Sequence, residues 1–431
     1  MKIFCSGIGG IGLSAYAAYR RAQGHTVLGS DRSASPLIED LRSQGIEVSL
    51  VQDGSAVPED CDLFVYSEAI SSEMSERQRA RALGIPHQSY FQALGDLSCS
   101  KQVIAVCGTH GKSSTTAMAA RVLIDAGIDP SVVVGTKLTE LSGRNWRKGA
   151  GDIFLLEACE YRRSFLALSP RIVLLTNADG DHFDAFTSRE DYHNAFVEFL
   201  SLLPQDGMVF THGADPDCMA IVSRSQRPFC DVDTLPLPLL SVPGLHMRQN
   251  AQLVVGLAKH LDIPEEQIRS SLKSYAGCWR RMQVRGVWGD SVTVIDDYAH
   301  HPREISATLT ALREAYPNRR LVCAFQPHMH DRTLKLYAEF TRCFSAADLV
   351  LLTDVYDARS DVETARVDMD RFARDVAQES HREVHYVGDL VHMEGLIKDR
   401  FVRPNDVLAF LGAGDITHVA EKMAQDAHVA L

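Results

Sequence analysis

The sequence predicts an α/β protein of three domains, on three observations. Short apolar runs alternate with stretches of helical character along the whole chain, the pattern of parallel sheets covered by helices. Two glycine-rich loops, at Gly7–Gly12 and Gly108–Lys112, each stand between an apolar run and a helical stretch. Two segments interrupt the alternation, the polar LGDLSCSKQ around residues 95–102 and GCWRRMQVRG at 277–286. A chain of 431 residues also exceeds what one hydrophobic core organises. The predicted division is 1–98, 99–283 and 284–431: two Rossmann-like domains on either side of a central domain of the P-loop ATPase type.

The predicted strands of the first domain are Ile3–Cys5, Thr26–Gly29 and Leu63–Ser67. Those of the second are Val103–Cys107, Ile153–Glu157 and Ile172–Thr176; those of the third are Val292–Asp296, Leu321–Gln326, Leu349–Thr353, Glu383–Val387 and Val407–Leu411. Each is a short apolar run, as a strand covered on both faces requires. The proline-spaced TLPLPLLSVPG, 234–244, reads as an irregular connection inside the middle domain.

Composition excludes several classes. No apolar run approaches the roughly 18 residues of a membrane helix, so no membrane insertion is expected. A net charge of -12 without a sustained basic block opposes general binding to nucleic acid. Ten scattered cysteines without a C-x-x-C pair read as thiols in a reducing cytoplasm. Residues 2–18 have a signal-peptide outline, but the glycines of GIGGIG and the position of Arg20 and Arg21 oppose it.

Gly7, Gly9 and Gly12 satisfy G-x-G-x-x-G, with Asp31 about 20 residues on. Such glycines let backbone N–H groups and a helix N-terminus approach a pyrophosphate, whether of a dinucleotide or a UDP-sugar. The second loop, GTHGKSST, opens with Gly108, Thr109 and His110 and ends Gly111-Lys112-Ser113-Ser114. It supplies N–H groups for phosphate oxygens, a lysine for the β/γ-phosphates and a hydroxyl for Mg²⁺, although Val106 replaces the first glycine of the full pattern. ATP and Mg²⁺ are therefore the expected cofactors. Metal-competent groups follow two strands: Glu157 and Glu160, then Asn177, Asp179, Asp181 and His182. Mg²⁺ prefers few protein ligands, which fits Ser113 and Glu157, with His182 suited to a second ion. A nicotinamide-dependent dehydrogenase would explain Gly7–Asp31 but leave GTHGKSST idle. A non-catalytic nucleotide-binding module is the other rival.

The ordered set GIGGIG, GTHGKSST, EACEYRRSF, TNADGDH, PGLHMRQN, GCWRRMQ, DDYAHHP, QPHMHDRT and LGAGDI resembles the Mur ligases, ATP-dependent amide-forming enzymes of peptidoglycan synthesis, over essentially the whole chain. It is most similar to the branch that joins L-alanine to UDP-N-acetylmuramate. The alternative branch, which attaches a preformed tripeptide, usually carries an insertion where EACEYRRSFLALSP runs directly to Pro170. The resemblance implies a UDP-sugar pyrophosphate on Gly7, Gly9, Gly10 and Gly12 with Asp31, and Asn250 and Asp297 at the nucleotide. It also implies Arg281 at the γ-phosphate, and closure of the third domain over the nucleotide. Lys112, His182, Arg281 and His301 are the expected catalytic residues. Arg332 or Arg359 is expected to fork the carboxylate of the amino acid, L-alanine. Three departures stand out: Cys159 where aspartate is common, Met247 where asparagine is usual, and no lysine in DYHNAFVEF, an absence shared with the alanine-adding branch.

Overall fold

The computed structural model describes residues 1–180, 185–289, 291–357 and 365–426. Three sheets organise it. The first orders β3-β2-β1-β4-β5, with β1 Lys2–Ser6, β2 Thr26–Ser30, β3 Glu47–Ser49, β4 Leu63–Tyr66 and β5 His87–Ser89; all pairs are parallel. The second orders β12-β11-β10-β6-β9-β7-β8, with β6 Gln102–Cys107, β7 Ser131–Leu138, β8 Arg144–Arg147, β9 Ile153–Glu157, β10 Pro170–Leu175, β11 Met208–Thr211 and β12 Phe229–Asp231. Only its β7–β8 pair is antiparallel. The third orders β13-β14-β18-β15-β16-β17, with β13 Gln283–Trp288, β14 Val292–Asp297, β15 Leu321–Phe325, β16 Leu349–Thr353, β17 Glu383–Gly388 and β18 Val407–Leu411. Here β13 is the antiparallel edge.

Every run predicted as a strand is one, within a residue or two at its ends. The sequence reading missed the short edge strands β3, β5, β8 and β12, the antiparallel edge β13, and the more central β7 and β11. Residues 235–244 form no helix or strand, as expected from their prolines.

By internal packing the three sheets fall into two compact units. One comprises Met1–Leu239 with Asn250–Tyr275 and holds the first two sheets; the other comprises Leu240–Gln249 with Ala276–Leu431 and holds the third. The reason lies in helix Ile11–Ala22, which packs on β7 and β8 as well as on its own sheet. Its Tyr19 ring meets the edges of Trp146 at 6.3 Å and Phe154 at 5.7 Å, and its hydroxyl lies 3.0 Å from Ser131 Oγ. Burying an aromatic ring of this size contributes about 1.5–3 kcal/mol over leaving it exposed. One apolar core therefore runs from Ile3 in β1 through Phe154 in β9 to Val222. Among the described residues no helix is long and apolar enough to cross a membrane.

Candidate active site

The first glycine loop follows β1. Gly7 and Ile8 donate their N–H groups to Ser30 O, both at 2.9 Å. Gly7 has φ +76 and Gly12 packs so closely that a Cβ there would lie 2.9 Å from the Tyr90 ring, so both positions demand glycine. Helix Ile11–Ala22 starts from Gly10 with no side-chain cap, leaving its first N–H groups to an anion. Asp31, expected at the sugar nucleotide, braces the loop itself: Oδ2 accepts from Gly9 N at 2.8 Å and Oδ1 from Arg32 N at 2.8 Å. Beneath the loop, Glu76 is 1% exposed and accepts from the hydroxyls of Ser30, at 2.8 Å, and Ser6. Burial raises its pKa against those hydrogen bonds.

A cleft of about 360 Å³ connects this loop to the second sheet, lined by Gly10 and Gly12, by Tyr90 and Phe91, and by Glu157 and Cys159. Glu157 ends β9 beside Val106 of the P-loop strand, and its Oε1 accepts from Gly135 N at 3.0 Å. Burial pushes the Cys159 thiol up to about 12, helped by the neighbouring Glu160 and opposed by Lys112.

The second loop leaves β6 through Gly108, φ +135, and enters helix Lys112–Asp125 through Gly111, φ +81 and without a side-chain cap. A Cβ at Gly111 would lie 2.6 Å from Asn250 Oδ1, which places that predicted nucleotide contact directly against the loop. Lys112 Nζ donates to Glu160 at 3.0 Å, to Thr109 O at 3.1 Å and to Gly108 O. Burial, the largest single influence, opposes its charge, but Glu160 together with Cys159 and Glu157 outweighs it and lifts the lysine pKa to about 12. Ser113 and Ser114 are buried in the first turn, 7% and 5% exposed.

Of the metal-competent groups expected after β10, Asn177 has another task in the structure, shared with Thr176 before it. Asn177 Oδ1 accepts from His110 N at 2.9 Å while its Nδ2 donates to His110 O at 3.1 Å; its carbonyl accepts from Thr109 N at 3.1 Å. Thr176 Oγ1 donates to His110 O at 2.6 Å. The strand end thus clamps the peptide of His110, whose ring nitrogen lies 3.8 Å from Asp179. The signal that could have found this clamp is the Thr-Asn pair at the end of a buried strand, in a polar loop where the neighbouring glycine loop has backbone groups to satisfy. Glu160 was likewise legible only as a carboxylate; its burial, 0% exposed, marks it as the partner of Lys112.

In the second unit, Arg281 lies 5.1 Å from the Tyr298 ring. Its pKa is raised: burial works against the charge, and the Glu304 and Asp297 carboxylates outweigh it. Asp297 is 4% exposed, with Oδ2 accepting from Met282 N at 2.6 Å and Oδ1 from Ala299 N at 2.7 Å. Burial raises its pKa to about 6, against Arg281 and those two amides. His301 caps helix Pro302–Ala315: Nδ1 accepts from Arg303 N at 3.3 Å and Glu304 reaches back to its N–H, a capping box. The ring expected among the catalytic groups is thus used to start a helix. Arg332 Nη1 lies 3.3 Å from His328 Nδ1. His182 and Arg359 lie outside the described residues. Among the described residues no group of three or more His, Cys, Asp or Glu side chains could by itself hold a metal ion.

Comparison with known proteins matches three family models in chain order: Mur ligase family, catalytic domain, at residues 2–102; Mur ligase middle domain at 106–235; and Mur ligase, glutamate ligase domain, at 280–414. The chain is 35% identical to the UDP-N-acetylmuramate–L-alanine ligase of Salinibacter ruber over 98% of this chain and 94% of that one. It is 36% identical to the protein of the same name from Geobacter sulfurreducens over 97% and 96%. Among solved structures it resembles the UDP-N-acetylmuramate–alanine ligase of Thermotoga maritima, with TM-score 0.81, 27% identity and all of both chains covered. The murein peptide ligase of Psychrobacter arcticus shares the fold, with TM-score 0.72, 22% identity, and 100% and 99% covered.

Proposed function

We propose, since this chain belongs to the Mur ligase family, that it is the ATP-dependent ligase joining L-alanine to the lactyl carboxylate of UDP-N-acetylmuramate in peptidoglycan precursor synthesis. The observation that carries this reading is the near full-length likeness to alanine ligases. The glycine loop at Gly108–Lys112, with its lysine paired to the buried Glu160, supports it. The tripeptide-adding alternative rests on a likeness that extends to the fold only.

An amide does not form from a carboxylate in water until one oxygen becomes a good leaving group. The lactyl carboxylate attacks the γ-phosphorus of ATP, giving an acyl phosphate and ADP. The alanine amine then attacks the acyl carbon, and the tetrahedral intermediate collapses with loss of phosphate. The protein's part is positioning and electrostatics. Lys112 holds the β/γ-phosphates, and the N–H groups from Gly111 to Ser114 cradle them at the helix start. Gly10 and Gly12 receive the UDP pyrophosphate at one end of the cleft, with the lactyl group directed toward Glu157 at the other. Ser113 and Glu157 are the groups that fit Mg²⁺, an ion that takes few protein ligands beside phosphate and water. Bound there, it would neutralise developing charge on the phosphate oxygens. The nucleotide roles of Asn250, Arg281 and Asp297, the second-cation role of His182 and the alanine-carboxylate role of Arg332 or Arg359 rest on resemblance and residue chemistry. The division 1–98, 99–283 and 284–431 stays a working one, each range holding one sheet apart from Gln283 at the start of β13. None of the ten cysteines forms a disulfide, which suits a cytoplasmic enzyme.

Release of ADP should require the lactyl carboxylate, since it is the nucleophile. The UDP-sugar without the lactyl group should turn over at about 1% of the normal rate or less, and equal turnover would overturn the mechanism. With equal concentrations of L-alanine and the L-alanyl-γ-D-glutamyl-diaminopimelate tripeptide, alanine should be incorporated. Glycine and L-serine should compete only when concentrated, because one methyl group is worth about 1–3 kcal/mol of discrimination. Preferential use of the tripeptide would move the chain to the other branch.

A further inference from the structure

The first turn of helix Arg189–Ser201 carries three consecutive side chains that reach three different segments around the ATP loop. Asp191 Oδ1 accepts from Arg163 Nη2 at 2.7 Å. The Tyr192 hydroxyl lies 2.8 Å from Thr109 Oγ1, both side chains buried. His193 Nε2 lies 3.3 Å from Ala178 O, in the segment that continues from the Asn177 clamp. Successive helical residues project about 100° apart, so one turn can address three directions.

Each target needs an outside hold. Arg162 and Arg163, directly after Glu160 and Tyr161, both lie in the left-handed region at φ 50 and φ 57, a strained pair for side chains of this size. Arg163 is fixed from the helix by Asp191 and by Glu198, and the turn it stabilises presents Glu160 to Lys112. Thr109 is held by its N–H on Asn177 O, by Lys112 Nζ on its carbonyl, and by Tyr192 on its hydroxyl.

We propose that this turn is the positioning element of the ATP site, with Tyr192 its central residue: the phenol fixes Thr109 so that the N–H groups at Gly111–Ser114 converge on the phosphates. The proposal rests on the reading of Gly108–Ser114 as the ATP loop. In this proposal Tyr192 acts through Thr109 and not on the phosphates directly. Removing its hydroxyl leaves the buried Thr109 hydroxyl without this partner, while the ring stays packed 5.0 Å from Phe186 and 5.1 Å from Phe196. Tyr192→Phe should therefore remain folded.

The test is a cycle of Tyr192→Phe, Thr109→Val and the double variant in the full chain, with ATP affinity measured calorimetrically in Mg²⁺. Each single change should weaken ATP binding and raise its KM about fivefold, the scale of one hydrogen bond. The change in kcat should be smaller, and UDP-N-acetylmuramate affinity should stay within about twofold. The double variant should be no weaker than the singles, and Thr109→Ser, which keeps the hydroxyl, should recover most of the affinity that Thr109→Val loses. Strictly additive losses, or Tyr192→Phe binding ATP normally, would overturn the proposal. Unaltered protein that fails to bind ATP, or Lys112→Ala that binds it normally, would instead overturn the reading of the loop.

Discussion

Lys112→Ala should abolish ATP-dependent phosphate release, with turnover falling about 100- to 1000-fold, the scale of removing one charged donor from a phosphoryl-transfer site. Affinity for UDP-N-acetylmuramate should stay within about twofold, because the first glycine loop and the P-loop follow strands of different sheets. The same change should also lower stability. Glu160 is 0% exposed and bound to Lys112 at 3.0 Å, so truncating the lysine leaves a buried carboxylate without its cation, a loss of about 3–5 kcal/mol. The Lys112 pKa is raised to about 12 from 10.5, so the pair's contribution is complete below about 10.5 and is lost only as pH rises toward 12. At neutral pH the loss should be seen in full. Adding Glu160→Ala to Lys112→Ala should restore much of the melting temperature and none of the turnover. A folded Lys112→Ala protein that has lost UDP-sugar binding as well would show that the two loops serve one site.

Gly108→Ala should be the most damaging glycine substitution in the ATP loop. Its φ of +135 is closed to a residue with a side chain, and the added Cβ would lie 2.1 Å from Thr176 Oγ1 and 2.7 Å from the carbonyl of Asn177. A threonine hydroxyl can rotate; the Asn177 carbonyl is backbone, and moving it undoes the bond from Thr109 N. Backbone strain of about 1–3 kcal/mol adds to overpacking of about 1–3 kcal/mol, and ATP affinity should fall at least about tenfold. Gly10→Ala is the contrasting case. There the nearest atom to an added Cβ is Gly7 O at 3.6 Å and φ is -68, so the melting temperature should hold while UDP-sugar affinity reports whether a pyrophosphate sits against that N-terminus. Equal melting temperatures for Gly108→Ala and Gly10→Ala would refute this account of the loop.

Features that repeat over a few residues are legible from local composition alone. Val103–Cys107 and Val407–Leu411 read as strands because strands covered on both faces are continuous apolar runs, and both are fully or nearly fully buried. The two glycine loops were legible because only glycine occupies φ +76 or φ +135 at ease. Edge strands such as Glu47–Ser49 and His87–Ser89 escaped, being three residues long and mostly or wholly polar. The long Ser131–Leu138 escaped for a different reason: its apolar run is interrupted by Gly135 and Lys137 and gave no clear period.

Tertiary structure decided what the polar residues do. Glu160 meets Lys112 across 48 positions, Asn177 meets His110 across 67 and Tyr192 meets Thr109 across 83. The first two follow from the order β10-β6-β9, which sets the ends of two later strands on either side of the strand that leads into Gly108, and the third from the packing of helix Arg189–Ser201 beside it. Strand order is fixed by which apolar faces pack best over the whole sheet, and no local spacing encodes it. His301 likewise has a partner that only the structure shows, since its ring caps the start of helix Pro302–Ala315. A carboxylate, an amide or an imidazole in the sequence states only what chemistry is available; which partner it faces is settled by the long-range packing that brings the strands together.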